Sequence, residues 1–142
     1  MRTQIIETKI VEIRDNLSII QDNLPNDANE FVQLGLVKDG IYKKIEFCIQ
    51  SVYDICSIIN TDLHLGIPEG DESIIDNLEQ KNIFTKKQAV KLKRMKGFRN
   101  ILVHRYGKID DELAFEMLKN NLDDFYVFLE TIGKYIIEFE DD

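Results

Sequence analysis

The sequence predicts an all-α fold, an up-and-down helical bundle of about four long helices plus one or two short ones. Three observations lead there. Apolar residues recur in alternating steps of four and three along three separate stretches, which is the period of a half-buried helix. No stretch alternates apolar and polar residues as a half-buried strand does. Only two prolines and seven glycines punctuate 142 residues, so long uninterrupted elements are expected.

The first seam is Ile6, Ile10, Ile13, Leu17, Ile20 and Leu24. Pro25 ends it, which predicts a helix over about residues 3–24. Asp27 followed by Glu30 has the spacing of a capping pair and opens a short helix reaching Leu34 before Gly35. The second seam is Ile41, Ile45, Cys48, Val52, Ile55 and Ile59, widened by Tyr42, Ile49 and Cys56. So broad an apolar face predicts a central helix with neighbours on two sides. Gly66, Pro68 and Gly70 mark a loop, and His64 within it is assigned no role. Asp71 to Gln80 reads as a short helix with Ile74, Ile75 and Leu78 inward. Thr85 and Gln88 form a capping-box pattern at the start of a basic helix that Gly107 permits to stop. Asp110, Asp111 and Glu112 put negative charge where the N-terminus of the last helix favours it. That helix has the most regular seam, from Phe115 through Leu118, Leu122, Phe125, Leu129, Ile132 and Ile136 to Phe139, and should run about 28 residues at this period.

A chain of this length is expected to form a single domain over residues 1–142 with a sizeable core. Hydrophobic residues make up 44% and charged ones 31%, a globular rather than a disordered balance. No apolar run approaches the roughly 20 residues that span a bilayer, and the first residues carry no signal-peptide pattern, so a cytoplasmic location away from membranes is expected. Cys48 and Cys56 stand about 12 Å apart along one helix, too far for a disulfide, and are read as reduced, partly buried thiols. No zinc-ligand spacing occurs, and neither a metal nor a cofactor is expected.

Net charge is −8, which alone argues against a nucleic-acid partner. Its distribution reverses that argument. From Lys81 to Lys108 the chain carries ten Lys or Arg and no Asp or Glu, while the remaining eight basic residues share the rest with all 26 acidic ones. Such asymmetry is an electrostatic footprint for a polyanion, or else a solvated face that pairs with acidic helices of the same fold.

The basic segment closes on Met95–Tyr106, which holds the candidate chemistry. On a helix, Met95, Phe98 and Leu102 face the bundle. A polar arc runs on the other side from Tyr106 and Arg99 past Lys96 and Asn100 to Lys93 and His104. Cleavage of RNA through its own 2′-hydroxyl needs a base for that hydroxyl, a cation for the phosphorane oxygens and an acid for the leaving 5′-oxygen. Histidine is the side chain that ordinarily changes charge near neutrality, so a residue of this type at position 104, His104, can serve as base or acid. Arg99 offers a planar, permanently charged fork. Asn100 can orient the imidazole or bind phosphate, and Tyr106 can stack on a base or bond to phosphate. Lys93, Lys96 and Arg105 are candidate phosphate contacts. Taken singly, His104 also suits a helix C-terminus, and Arg99 a bundle edge. Arg99 and His104 lie about 140° apart around a straight helix, so either the helix bends before His104 or two copies of the chain combine their motifs across a twofold dimer.

The run Gly97-Phe98-Arg99-Asn100-Ile101-Leu102-Val103-His104-Arg105-Tyr106, followed by Ile109-Asp110, resembles the signature of HepT-type toxins of the HEPN superfamily, whose pattern is Arg, four residues, His, one residue, Tyr. The Lys44-Ile45-Glu46 helix, the Gly66-Ile67-Pro68 loop and the chain length fit as well. The resemblance implies an all-α homodimer whose two motifs face one cleft. It implies a metal-independent endoribonuclease, the toxin of a type VII toxin–antitoxin pair. It further implies an MntA-type minimal nucleotidyltransferase as antitoxin, which can attach AMP to the motif tyrosine. By position, Arg99 and His104 would be catalytic, Asn100 supporting and Tyr106 the modified residue. The alternative is a non-catalytic helical subunit that binds nucleotide or RNA and partners such a nucleotidyltransferase.

Overall fold

The computed structural model describes residues 1–104 and 109–141, and the side chains of all of these except His104 and Asp141. Among the described residues six helices follow one another: α1 (Thr3–Asn23), α2 (Ala28–Val32), α3 (Leu36–Asp62), α4 (Asp71–Gln80), α5 (Lys86–His104) and α6 (Asp111–Asp141). There is no strand among the described residues. Four helices are long and two are short, as the seams predict.

The seam residues account for the packing. Ile6, Ile13, Leu17 and Ile20 of α1 are fully buried, and so are Ile45, Cys48, Ile49, Val52, Ile55, Cys56 and Ile59 of α3. Central α3 packs against α1, α4 and α5, as its wide apolar face requires. Polar ties fix helix direction. Arg2 pairs with Asp62 at 2.9 Å, Lys9 with Asp54 at 3.7 Å, and Lys44 donates to Asn16 Oδ1 at 3.1 Å. Residues early in α1 thus meet residues late in α3, so the pair is antiparallel. The same ordering sets α5 antiparallel to α6, through Lys91 to Asp124 at 3.1 Å and Gln88 to Thr131 at 2.9 Å.

The helix ends differ from expectation in small ways with physical causes. α1 stops at Asn23, and Leu24 is extended because the following Pro25 disfavours the helical region for its predecessor. Asp27 caps α2 through Glu30 N at 2.8 Å, yet α2 ends at Val32 rather than Leu34. α3 starts at Leu36, well before the Ile41 seam, because its first turn is exposed, with Leu36 at 87%; a seam reports only the buried part of a helix. Phe139, expected to close the α6 seam, is exposed, and α6 runs 31 residues.

Two constructions frame α5. At its start the capping box is formed in both directions: Gln88 N donates to Thr85 Oγ1 at 3.1 Å, and Thr85 N to Gln88 Oε1 at 2.8 Å. Beyond its end, α6 opens on Asp110, whose Oδ1 accepts from Leu113 N at 3.2 Å. Asp111 is held to α3 by Lys38 at 2.8 Å and by the Tyr42 hydroxyl at 2.5 Å. Burial acts to raise the Asp111 carboxyl pKa, but those two bonds outweigh it and hold the group below its ordinary range. Burial, reinforced by Asp111, pushes the Tyr42 phenol well above its ordinary value.

Both cysteines are free and buried. Burial pushes the Cys48 thiol up to about 12, so it is inert at neutral pH.

Candidate functional site

Met95, Phe98 and Leu102 are buried, and they set the rotation of α5 as the helical arc requires. At the middle of the helix the Tyr53 hydroxyl donates to Leu92 O at 2.7 Å, tying α5 to α3. Lys96, Arg99, Asn100 and Val103 are half-buried on the remaining face.

Arg99 faces α3. Its Nη1 donates to Gln50 Oε1. The Gln50 amide is fixed from its other side, where Nε2 donates to Asp54 Oδ1 at 2.9 Å. Asp54 in turn faces Lys9 of α1 at 3.7 Å. A carboxylate can only accept, so Asp54 claims the nitrogen end of the Gln50 amide and leaves its oxygen for the guanidinium. Arg99 Nε is buried and has no hydrogen-bond partner among the described residues.

The arginine lines a groove of about 670 Å³ between α3 and α5, together with Asn16, Lys43, Lys44, Phe47, Gln50 and Val103. Lys43 and Lys44 are cations that the sequence reading missed, because they lie outside the acid-free segment. The helical spacing of Lys43, Phe47, Gln50 and Asp54, with steps of four, three and four, was the available signal. It is a stripe on α3 that carries no aliphatic residue.

The rest of the arc is divided. Lys93, expected at RNA phosphate, gives its ammonium to Asp76 of α4 at 2.6 Å, and that bond raises its pKa. Lys91 pairs with Asp124 of α6. Part of the basic segment therefore pairs with acidic helices of its own fold. Lys96 and Asn100 make no side-chain hydrogen bond among the described residues and do not line the groove with Arg99. His104 is the last residue of α5. Its side chain lies outside the described residues, as do Arg105 and Tyr106. Among the described residues no group of three or more His, Cys, Asp or Glu could hold a metal ion, and no helix is long and apolar enough to cross a membrane.

Comparison with known proteins adds an independent line. The model of the family described as "Ribonuclease HepT-like" matches residues 13–132. The chain belongs to the HepT-like ribonuclease family. That assignment covers most of the helical domain, including α3, the groove and the Arg99–Tyr106 motif. An mRNA nuclease HepT of Shewanella oneidensis is 30% identical over 128 residues, covering 90% of this chain and 96% of the relative. A putative RNase of Archaeoglobus fulgidus is 32% identical over 94 residues, covering 66% and 70%. Among solved structures, a tri-AMPylated Shewanella oneidensis HEPN toxin in complex with its MNT antitoxin superposes with a TM-score of 0.82 at 30% identity, covering 92% of this chain and 97% of the toxin. The HEPN fold expected from the motif is thus the fold of this HepT-like chain.

Proposed function

We propose that this HepT-like chain is a metal-independent endoribonuclease acting as the toxin of a toxin–antitoxin pair. The observation that carries the proposal is the setting of Arg99. Its guanidinium is anchored at one Nη to Gln50 and lines a groove that also holds Lys43 and Lys44. It stands five residues before His104 in a chain whose relatives include a named mRNA nuclease. An arginine held at one Nη keeps its other Nη hydrogens for an anion, and a planar guanidinium matches phosphate oxygens.

In the proposed reaction the 2′-oxygen of one nucleotide attacks the adjacent phosphorus. An imidazole takes the 2′-proton, Arg99 carries the extra negative charge on the non-bridging oxygens, and a second imidazole protonates the departing 5′-oxygen. The products are a 2′,3′-cyclic phosphate and a 5′-hydroxyl, and the protons balance. One chain has a single motif histidine. Two imidazoles on one phosphate therefore require two copies of the motif, which fits a homodimer with one shared cleft. Asn100 supports His104, while Lys96 and Arg105 hold flanking phosphates. Lys93 can do so only in competition with Asp76.

The proposed partner is an MntA-type minimal nucleotidyltransferase. AMP on Tyr106 would place an anionic phosphate and a nucleoside where substrate phosphate should sit, repelling RNA and filling its space. The solved HEPN toxin is itself tri-AMPylated and bound to an MNT antitoxin, which supports this part of the proposal.

Growth tests the function. Expression without the partner should arrest cells, His104→Ala should abolish the arrest, and co-expression of the nucleotidyltransferase should relieve it for the unaltered protein. Tyr106→Phe should stay toxic and accept no AMP. Mass spectrometry finding AMP on the Phe variant would move the modification to another residue, and unimpaired growth with the unaltered protein would remove the toxin reading.

A further inference from the structure

The groove beside Arg99 contains more than the cleavage motif requires. Phe47 is 41% exposed and lines that groove. It sits one turn after Lys43 and one turn before Gln50 on the same face of α3, so it lies between a cation and the residue that holds Arg99. Lys43 to Gln50 spans about 10 Å of helix rise. Lys44 lines the same space and is steadied by Asn16 at 3.1 Å. One carboxylate, Glu46, also lines the groove, and it lies 3.5 Å from Lys43. Among the described residues, three cations against one anion leave the groove net positive.

A single exposed phenylalanine is unremarkable on a protein surface. Its neighbours give this one its meaning. An aromatic face flanked by cations in an open groove is the arrangement that holds a nucleotide, with the base stacked on the ring and the phosphates on the cations.

We infer that Phe47, with Lys43 and Lys44, forms a base-stacking subsite on α3 that holds one unstacked nucleotide of the RNA next to the phosphate bound by Arg99. This rests on the ribonuclease reading and adds to it a contact made by α3, outside the motif. The subsite reads no hydrogen-bonding edge, so it accepts any base. It gives the arginine-bound phosphate a fixed neighbour, which positions the strand for cleavage.

The test is binding by the intact protein to RNA oligonucleotides carrying 2′-O-methyl groups. These lack the attacking hydroxyl and cannot be cut by the proposed route. Phe47→Ala should weaken binding by roughly 5- to 150-fold, the range for loss of one stacked base, with an unchanged melting temperature. Phe47→Trp should bind as the unaltered protein does. An oligonucleotide with the same phosphates but no bases should bind the unaltered protein more weakly than one that carries its bases, and that difference should shrink in Phe47→Ala. Lys43→Ala with Lys44→Ala should reduce the salt dependence, log K against log salt, by about 1.4 for two phosphate contacts on a single strand.

Binding by Phe47→Ala equal to that of the unaltered protein overturns the subsite. If that variant also cleaves unmodified RNA normally, the ribonuclease reading stands without it. If the unaltered protein neither binds nor cuts RNA, both fail. If Phe47→Ala turns a dimer into a monomer, Phe47 belongs to an interface between copies, and the subsite is again overturned.

Discussion

Arg99 can present a defined set of donors because Gln50 is itself defined. The amide of an exposed glutamine normally rotates, but Asp54 takes its nitrogen end at 2.9 Å and so turns the oxygen to Arg99 Nη1. Preorganised charge is worth more in a transition state than charge that must first reorient. Gln50→Ala should therefore lower the cleavage rate by about tenfold or more at nearly unchanged RNA affinity. Its melting temperature should stay within a few degrees, because an exposed side chain contributes little to folding. A loss of affinity with an unchanged maximal rate would mean that Gln50 only helps to bind substrate. The sequence showed Arg99 and its motif partners because they are contiguous on one helix. It did not show Gln50, Lys43, Lys44 or Phe47. These approach Arg99 only when α3 and α5 pack; the stripe from Lys43 to Asp54 marks a face of α3 but does not say which helix it meets.

At the level of the helices, the motif lies in sequence between two anchored elements. α5 is locked upstream by its capping box and by the Tyr53 bond to Leu92. Downstream, α6 is pinned to α3 through Asp111, Lys38 and Tyr42. The depressed Asp111 pKa gives this anchor a pH signature. A carboxyl whose folded pKa lies below its unfolded value, near 3.9, contributes stability that is fully present above that value. The contribution is lost as pH falls through the folded pKa. Asp111→Asn should therefore lower the melting temperature at neutral pH, and the gap to the unaltered protein should close below about pH 4. A gap that persists unchanged into strong acid would mean that the carboxylate charge is not what anchors α6. The sequence located α6 through its seam and its acidic first turn. It placed Asp111 there as a complement to the helix dipole, and the structure adds Lys38 and Tyr42 as its partners. Helix ends were less legible than helices. Leu36 to Gly40 precede the buried part of α3 and carry no seam, and Phe139 continues the α6 period past Ile136, the last buried residue of that seam, and lies beside the Tyr135 ring.

At the scale of the molecule, an acidic chain concentrates ten of its eighteen basic residues in one segment. The bundle then spends some of that charge internally, on Asp76 and Asp124, while Arg99 shares a groove with two lysines of α3. The proposed cut needs two imidazoles, so light scattering should give twice the chain mass of 16.6 kDa for the active species. An active monomer would contradict a cleft built from two motifs.

If protein groups alone cut RNA, purified protein should cleave it in excess chelator. The expected result is fragments ending in 2′,3′-cyclic phosphate, formed by the unaltered protein and lost in both Arg99→Ala and His104→Ala, with the fold of each variant intact. RNA left whole in chelator, or cut equally well by His104→Ala, would rule out metal-independent cleavage by the motif.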